Sequence, residues 1–299
     1  MATKAFHDLV ATLRGVQRVG NPTIAEMREG WEKFAGQFPP AKDIRFEPVD
    51  AGGVPAEWSR APGIEESRVV LFFHGGGYNM GSLPSYRDFT GRISRASAAR
   101  VLSVGYRLAP EFLFPAAVDD AVTAYRWLLR QGVPAHRIVL AGDSAGGGLV
   151  LAALVRLRDA GDDLPAAAMC VSPSTDLAKE GQSMRTKADV DPVVRYDTSM
   201  AHARRYVGEA GDLKHPLASP LYADMRGLPP LLILVGTNET LLDDSTRVAD
   251  KARDAGVDVE LEIWNDMIHI WPFFAAILPE GQQAIERMGR FARARVASV

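Results

Sequence analysis

The sequence has a single cysteine, Cys170, among its 299 residues. One thiol can form neither an internal disulfide nor a cysteine-based metal cluster. It lies in the apolar run AAAMCVSP, which favours a buried structural thiol over a catalytic nucleophile. These features favour a reducing, cytoplasmic location.

Long apolar runs and an excess of basic residues are also missing. The longest apolar run, Ala145 to Val155, is well short of the ~20 residues that cross a bilayer. The stretch MATKAFHDLVATLRG spaces Phe6, Leu9 and Leu13 as on an amphipathic helix, unlike the apolar core of a signal peptide. The formal net charge of the chain is −3, so we do not expect nucleic acid as a partner. We expect no membrane span.

The dominant pattern is an alternation of short apolar runs with helical segments. Each run is continuous and bounded by turn residues, as in strands covered on both faces. The predicted strands are Val69–Phe73, Val101–Val104, Ile138–Ala141, Ala167–Val171 and Leu231–Val235. This alternation predicts one α/β domain over residues 1–299, with a mostly parallel central sheet flanked by helices.

Other segments depart from the alternation. IRFEPVD and VPAEWSRA predict an antiparallel entry to the sheet. VDVELEIW alternates apolar and acidic residues, which predicts an edge strand with one exposed face. Its acidic side chains either prevent unwanted pairing with another strand or flank a dimer interface. Two further segments do not fit the alternation: residues 1 to about 40, with a capping-box pattern at Thr23–Glu26, and residues from about 177 to 218. We expect them to form either a lid over the sheet or peripheral packing.

GDSAG, from Gly142 to Gly146, is a G-x-S-x-G pattern between a predicted strand and a predicted helix. Glycines on both sides permit a sharp turn that exposes Ser144, because side chains there would collide with the strand and the helix. The helix directs its N-terminal N–H groups toward the hydroxyl. Alone, the pattern also fits a turn in which serine caps the helix.

A second glycine motif, HGGG at His74–Gly77, directly follows a predicted strand. Consecutive glycines let backbone N–H groups converge on an oxyanion. We predict Gly75 and Gly76, together with Ala145, as the donors. Neither motif reads G-x-G-x-x-G or G-x-x-x-x-G-K, so phosphate binding is the weaker interpretation.

A serine nucleophile needs a histidine base and an acid that orients it. In hydrolases with this motif the chain order is serine, acid, histidine, which leaves His202, His215 and His269 as bases. His202 and His215 fall in the predicted lid and are expected to be solvated. His269 follows the last predicted strand and is the expected base; the alternative is a partly buried histidine between isoleucines. His74 is expected to anchor its glycine loop.

The acid is expected in VGTNETLLDDS, where Glu239, Asp243 and Asp244 are candidates and Asp176 is an outside one. Glu239 comes soonest after the strand, at the sheet edge where sites of open α/β folds gather. Asp243 and Asp244 are expected in the first turn of the next helix. We predict Glu239.

Together these motifs resemble the bacterial hormone-sensitive-lipase-like carboxylesterases of the α/β-hydrolase fold. The similarity covers nearly the whole chain, through HGGGY, YRLAPE, FPAAVDDA, GDSAGGGL, the DP pair at Asp191 and Pro192, LASPLYAD, LPPLLILVG and DMIHIW. It implies an α/β hydrolase without metal or cofactor. It also implies a helical cap built from about 1–40 and about 177–218, and hydrolysis of short-to-medium acyl esters.

The resemblance also implies roles residue by residue: nucleophile Ser144, base His269, and oxyanion donors Gly75, Gly76 and Ala145. The family's acid pattern G-x-x-D-x-L-x-D holds Glu239 at the acid position, and a glutamate can still accept the imidazole N–H. Asp143 matches the family's usual residue before the serine and is expected to steady the turn.

Alternatives remain for function and for the pocket. An amidase or deacetylase would use the same triad, whereas a non-catalytic small-molecule receptor would keep only the pocket. Tyr78, Ile270 and Trp271 are expected either beside the substrate or in core packing. A homodimer through the strand VDVELEIW is compatible with the sequence.

Overall fold

The computed structural model describes residues 2–15 and 22–296. Its strands are β1 (Arg45–Asp50), β2 (Pro55–Arg60), β3 (Glu65–Phe73), β4 (Ala99–Val104), β5 (Ile138–Asp143), β6 (Ala167–Val171), β7 (Leu231–Gly236) and β8 (Val259–Trp264). They form one eight-stranded sheet in the order β1-β2-β4-β3-β5-β6-β7-β8. β1 and β2 pair antiparallel, and β2 pairs antiparallel with β4. The remaining pairs are parallel, as predicted.

The helices are α1 (Lys4–Gly15), α2 (Ile24–Ala35), α3 (Arg87–Ser97), α4 (Ala116–Arg130), α5 (Ala145–Ala160), α6 (Ser183–Thr186), α7 (Tyr196–Val207), α8 (Leu242–Asp254) and α9 (Pro279–Arg295). The predicted capping box begins α2: Thr23 Oγ1 accepts from the Glu26 N–H, and Glu26 accepts from the Thr23 N–H. None of these helices is long and apolar enough to span a membrane.

The sheet lies between two apolar cores. Successive strand side chains point to opposite faces, so Leu71 and Phe73 enter the core under α4, α5 and α8, whereas Val70 and Phe72 face α3 and α9. All four side chains are buried. The prediction that the central strands are covered on both faces is therefore confirmed.

The strand that alternates acidic and apolar residues, β8, lies at the sheet edge as predicted. Its acidic side is not an open surface, however. Arg287 pairs with Glu260 and Glu262, which are half-buried, because helix α9 crosses this face with its arginines. The exposed residue of β8 is the apolar Ile263, which is 46% exposed.

The two segments predicted as a cap meet each other and the carboxyl edge of the sheet. Arg14 of α1 donates to the carbonyl oxygen of Asp189 at 3.3 Å. Arg28 of α2 donates to the carbonyl oxygen of Asn79, and Tyr206 of α7 stacks on Tyr78, both just after β3. Residues 1 and 16–21, which belong to the predicted cap, lie outside the described residues. These contacts hold both segments at the carboxyl edge of the sheet, and their role as a lid stays a prediction.

Candidate active site

Ser144 stands at the turn between β5 and α5 with a φ of 52°, a left-handed conformation that L residues rarely adopt. A Cβ at Gly142 would overlap the carbonyl oxygen of Gly146, and one at Gly146 would overlap that of Phe73. The glycines are therefore required, as predicted. Ser144 occupies the N-cap position, but its side chain makes no capping bond. Its hydroxyl is oriented toward another partner.

That partner is the imidazole of His269. Ser144 Oγ lies 2.9 Å from His269 Nε2, and His269 Nδ1 lies 3.0 Å from Glu239 Oε2. Glu239 and His269 are buried, whereas Ser144 is half-buried. The loops after β5, β7 and β8 thus bring together the three side chains singled out from the sequence.

The electrostatics of this cluster suit a histidine base. Burial lowers the pKa of His269, but the hydrogen bond and charge of Glu239, with smaller contributions from Asp191 and Asp143, raise that pKa above its ordinary value. Burial also raises the pKa of Glu239, against the opposing effect of His269. Once His269 is neutral, Nδ1–H faces Glu239 and the Nε2 lone pair faces Ser144, as proton abstraction requires.

The HGGG loop differs from the prediction at its first glycine. The Gly75 N–H donates to Asp143 Oδ1 at 3.0 Å and to the Tyr86 hydroxyl at 3.1 Å. Gly75 is therefore not available to an oxyanion, and its assignment as a donor needs correction. Within residues 2–15 and 22–296, no hydrogen bond uses the N–H of Gly76 or Gly77.

Asp143 joins the serine turn to the glycine loop. Besides the Gly75 N–H, its carboxylate accepts a hydrogen bond from the Tyr86 hydroxyl at 2.9 Å. Burial raises its pKa to about 7, although these donors oppose the increase. On the other side of the loop, His74 Nδ1 lies 2.7 Å from the Gly75 carbonyl oxygen and its ring stacks on Tyr106. Both residues anchor the loop, as expected.

Several proteins similar to this chain are named as ester hydrolases. A family model described as the alpha/beta hydrolase fold matches residues 70–273. An acetyl-hydrolase of Streptomyces hygroscopicus is 46% identical over 262 residues, which cover 88% of this chain and 86% of that protein. The crystal structure of an esterase from the bacterial hormone-sensitive lipase family has a TM-score of 0.96 and 48% identity, covering 99% of this chain and 100% of that one.

The chain belongs to this esterase family. A crystal structure of EstE5 soaked with p-nitrophenyl butyrate is also similar, with a TM-score of 0.95, 48% identity and coverage of 99% of this chain and 100% of that one. The α/β-hydrolase fold predicted from the sequence is confirmed. The likeness to hormone-sensitive-lipase-like esterases is confirmed as well.

The other candidate acids of this esterase bond to other partners and do not pair with His269. Asp243 accepts from the Ser183 N–H at 2.9 Å, and both Asp243 and Asp244 lie in the first turn of α8, as predicted. The carboxylate of Asp244 accepts the N–H groups of Thr175 and Asp176. Asp176 itself pairs with the Arg247 guanidinium. None of them replaces Glu239.

The predicted pocket side chains are packed inside the protein. Tyr78 is buried, with its ring stacked 3.8 Å from that of Tyr206 in the cap. Trp271 is fully buried and packs against Trp264. Ile270 is buried too, with a φ of 50°. Of the two alternatives, the structure favours packing for all three predicted residues.

Two histidines are less solvated than expected, because the segment that holds them packs against the HGGG loop and against Phe114. His202 is half-buried on α7, and a Cβ at Gly77 would overlap its imidazole. The ring of His215, also half-buried, lies 4.8 Å from that of Phe114. The prediction that these histidines are solvated surface residues is wrong.

Sequence patterns missed two residues beside the acid. Ser172 donates to Glu239 Oε1 at 2.9 Å. Asp191, from the cap segment, accepts the Thr240 N–H next to Glu239 at 2.8 Å. The only available signal for Asp191 was its place in a DP pair.

Cys170 is a structural thiol, in line with the prediction. It is buried on β6, its sulfur lies 3.6 Å from the Gly147 carbonyl oxygen, and burial raises its pKa to about 12. Such a thiol is not a nucleophile near neutral pH. In the described part of the chain, no three His, Cys, Asp or Glu side chains are grouped so as to hold a metal ion.

Proposed function

We propose that this esterase hydrolyses carboxylic esters with short-to-medium acyl chains through a Ser144–His269–Glu239 triad. The observation that carries this proposal is the continuous hydrogen-bond chain from Ser144 Oγ to His269 and on to Glu239, at 2.9 and 3.0 Å. This geometry lets a neutral imidazole remove the serine proton while a carboxylate stabilises the imidazolium that forms.

The reaction proceeds by acyl transfer. Ser144 attacks the ester carbonyl as His269 takes its proton, and the N–H groups of Gly76, Gly77 and Ala145 bind the oxyanion. Gly77 replaces Gly75 in this assignment because the Gly75 N–H is bonded to Asp143. The alcohol then leaves with the proton from His269. Water, activated by the same histidine, cleaves the acyl-enzyme.

Short acyl groups are supported by the relatives, one named an acetyl-hydrolase and another soaked with a butyrate ester. The test is hydrolysis of p-nitrophenyl esters from acetate to palmitate by the wild type, Ser144→Ala and the control Ser67→Ala, which alters an exposed serine. We expect a maximum at short or medium chains, lost only in Ser144→Ala. Equal turnover by wild type and Ser144→Ala would refute the triad.

The alternatives make different predictions in the same assays. A receptor would not become covalently labelled at Ser144 by a phosphonate ester, whereas the esterase would lose activity in step with labelling. An amidase or deacetylase would also hydrolyse an acyl anilide with the same acyl group, with a turnover that Ser144→Ala abolishes, whereas the esterase would hydrolyse only the ester at a measurable rate. We expect the ester to be the better substrate, because an amide's amine must be protonated before it leaves.

We further propose that two copies associate through β8. No other described strand pairs with its outer edge, and Ile263 is exposed there. Pairing of Glu260 and Glu262 with Arg287 lowers the repulsion that facing acidic strands would produce. Sedimentation should give a dimer that Ile263→Lys dissociates, whereas Val190→Lys, at another exposed position, should not. A monomer at micromolar concentration would exclude this interface.

We also propose a cytoplasmic location. The one cysteine, Cys170, is buried as a free thiol, so this fold needs no oxidising compartment. Fractionation of the source cells with an antibody against the protein tests this location.

A further inference from the structure

Ser172 lies at the end of β6, next to the catalytic acid and the loop of the histidine. Its hydroxyl donates to Glu239 Oε1 at 2.9 Å and accepts the Ile270 N–H at 3.2 Å. The side chain is fully buried. A hydroxyl has one proton to donate, and here the proton goes to the acid while a lone pair receives the backbone beside His269. One buried atom thus joins two loops of the site.

The backbone around this hydroxyl is held in an unfavourable conformation. Ser172 has a φ of 47° and Ile270 a φ of 50°, values that L side chains rarely adopt. The Ser172 N–H donates to the carbonyl oxygen of Leu234 on β7 at 2.7 Å, which fixes the position of its Cα. Such conformations persist where surrounding contacts determine them, and they cluster at functional sites.

The acid itself explains why such support is useful. A glutamate has one more rotatable bond than the aspartate of the family pattern, so more of its rotamers point Oε2 away from the histidine. In this structure Oε1 accepts two donors, the Ser172 hydroxyl and the Gly236 N–H at 2.6 Å. With Oε1 held at two points, the carboxylate plane is set and Oε2 faces His269 Nδ1.

We propose that Ser172 is a positioning residue for ester hydrolysis, whose hydroxyl holds Glu239 and the His269 loop in the arrangement that forms the Oε2–Nδ1 hydrogen bond. This inference rests on the proposed triad. Ser172 acts through Glu239 and not on the substrate. Its effect therefore belongs to kcat, with KM little changed.

The test compares Ser172→Ala with Ser172→Gly, because both remove the hydroxyl but only glycine tolerates the positive φ without strain. Ser59→Ala is the control, since it removes a buried hydroxyl on β2 that bonds to Thr90. We expect kcat on p-nitrophenyl butyrate to fall about tenfold to hundredfold in both Ser172 variants. Thermal unfolding should show the glycine variant to be at least as stable as the alanine variant.

Two further readouts separate positioning from stability. Charged groups around His269 are Glu239, Asp191 and Asp143. In Ser172→Ala a misaligned Glu239 supports the imidazolium less, so the acid limb of kcat/KM against pH should move to lower pH. In a Glu239→Asp background, whose shorter side chain does not reach both partners, Ser172→Ala should cost less than in the wild type.

Several results would overturn the inference. One is a wild-type kcat and acid limb in both stable Ser172 variants. Another is a Ser172→Gly variant whose kcat and stability both return to the wild-type values while Ser172→Ala loses both, because the role of the residue would then be structural. An inactive wild type, or activity retained in Ser144→Ala, would instead refute the proposed function, so the two failures are distinguishable.

Discussion

The buried carboxyl of Asp143 makes the stability of this protein depend on pH in a way that a single substitution should remove. Burial raises the pKa of Asp143 from 3.8 to about 7. Between these values the folded state keeps a proton that the unfolded state has released, so rising pH favours unfolding. The stability contribution of this group is complete below the unfolded pKa and is lost as pH rises through the folded pKa.

A difference of about 3 in pKa corresponds to about 4 kcal/mol, which we take as an upper limit. Asp143→Asn stays neutral at every pH, and its amide can accept from the Gly75 N–H and donate to the Tyr86 hydroxyl. Relative to wild type, the variant should therefore gain up to about 4 kcal/mol in the free energy of unfolding between about pH 4 and about pH 8.

Urea unfolding of both proteins across this pH range measures the difference directly. Glu239 and Asp244 titrate in both proteins, so their effects largely cancel when the two free energies are subtracted at each pH. His269 adds a smaller opposing change, because Asp143→Asn removes one of the charges that raise its pKa. Asp8→Asn is the control, since it removes an equal charge from the surface of α1. A wild-type minus Asp143→Asn difference that stays constant with pH would refute the reasoning.

Three other substitutions test the site. Arg28→Met should lower the free energy of unfolding by about 1–3 kcal/mol in denaturant titrations, because the carbonyl oxygens of Asn79 and Ala109 lose their donor. Lys33→Met, which removes an exposed ion pair on the same helix, should change this free energy little. Gly77→Ala should lower kcat at least about tenfold, because its φ is 63° and the added Cβ meets a cap histidine. Glu239→Gln should lower kcat about 10³–10⁴-fold and move the acid limb of its pH profile to lower pH, since the pKa of His269 loses its main support. An acid limb that stays in place would exclude Glu239 as the partner of that histidine.

Regular elements of this fold could be predicted because their signals are local. A strand that is apolar throughout, such as Leu231–Val235, indicates that both of its faces are covered, and the structure places this strand inside the sheet as β7. The serine turn could be predicted for a similar reason, since Gly142 and Gly146 are required by atoms a few residues away and by the adjoining strand.

The choice among adjacent glycines could not be made in this way. Gly75 and Gly77 are equivalent in sequence, and the difference between them is the carboxylate of Asp143, which comes from another loop and takes the Gly75 N–H. The acid directly before Ser144 was a usable signal, because a buried carboxylate must find donors and the glycine loop is rich in N–H groups.

Ser172 shows where local signals end. A serine before a proline is ordinary loop sequence, and it acquires a role only because β6 and β7 are neighbours while the loop after β8 folds back over them. The same reasoning applies to β8, where the alternation of acidic residues predicted a distinct face but not that Arg287 would cover it. Residues that bind substrate or move protons are identified by their chemistry, whereas residues that hold them in place are identified by contacts between distant loops. The second group is therefore where substitutions at this site will be most informative.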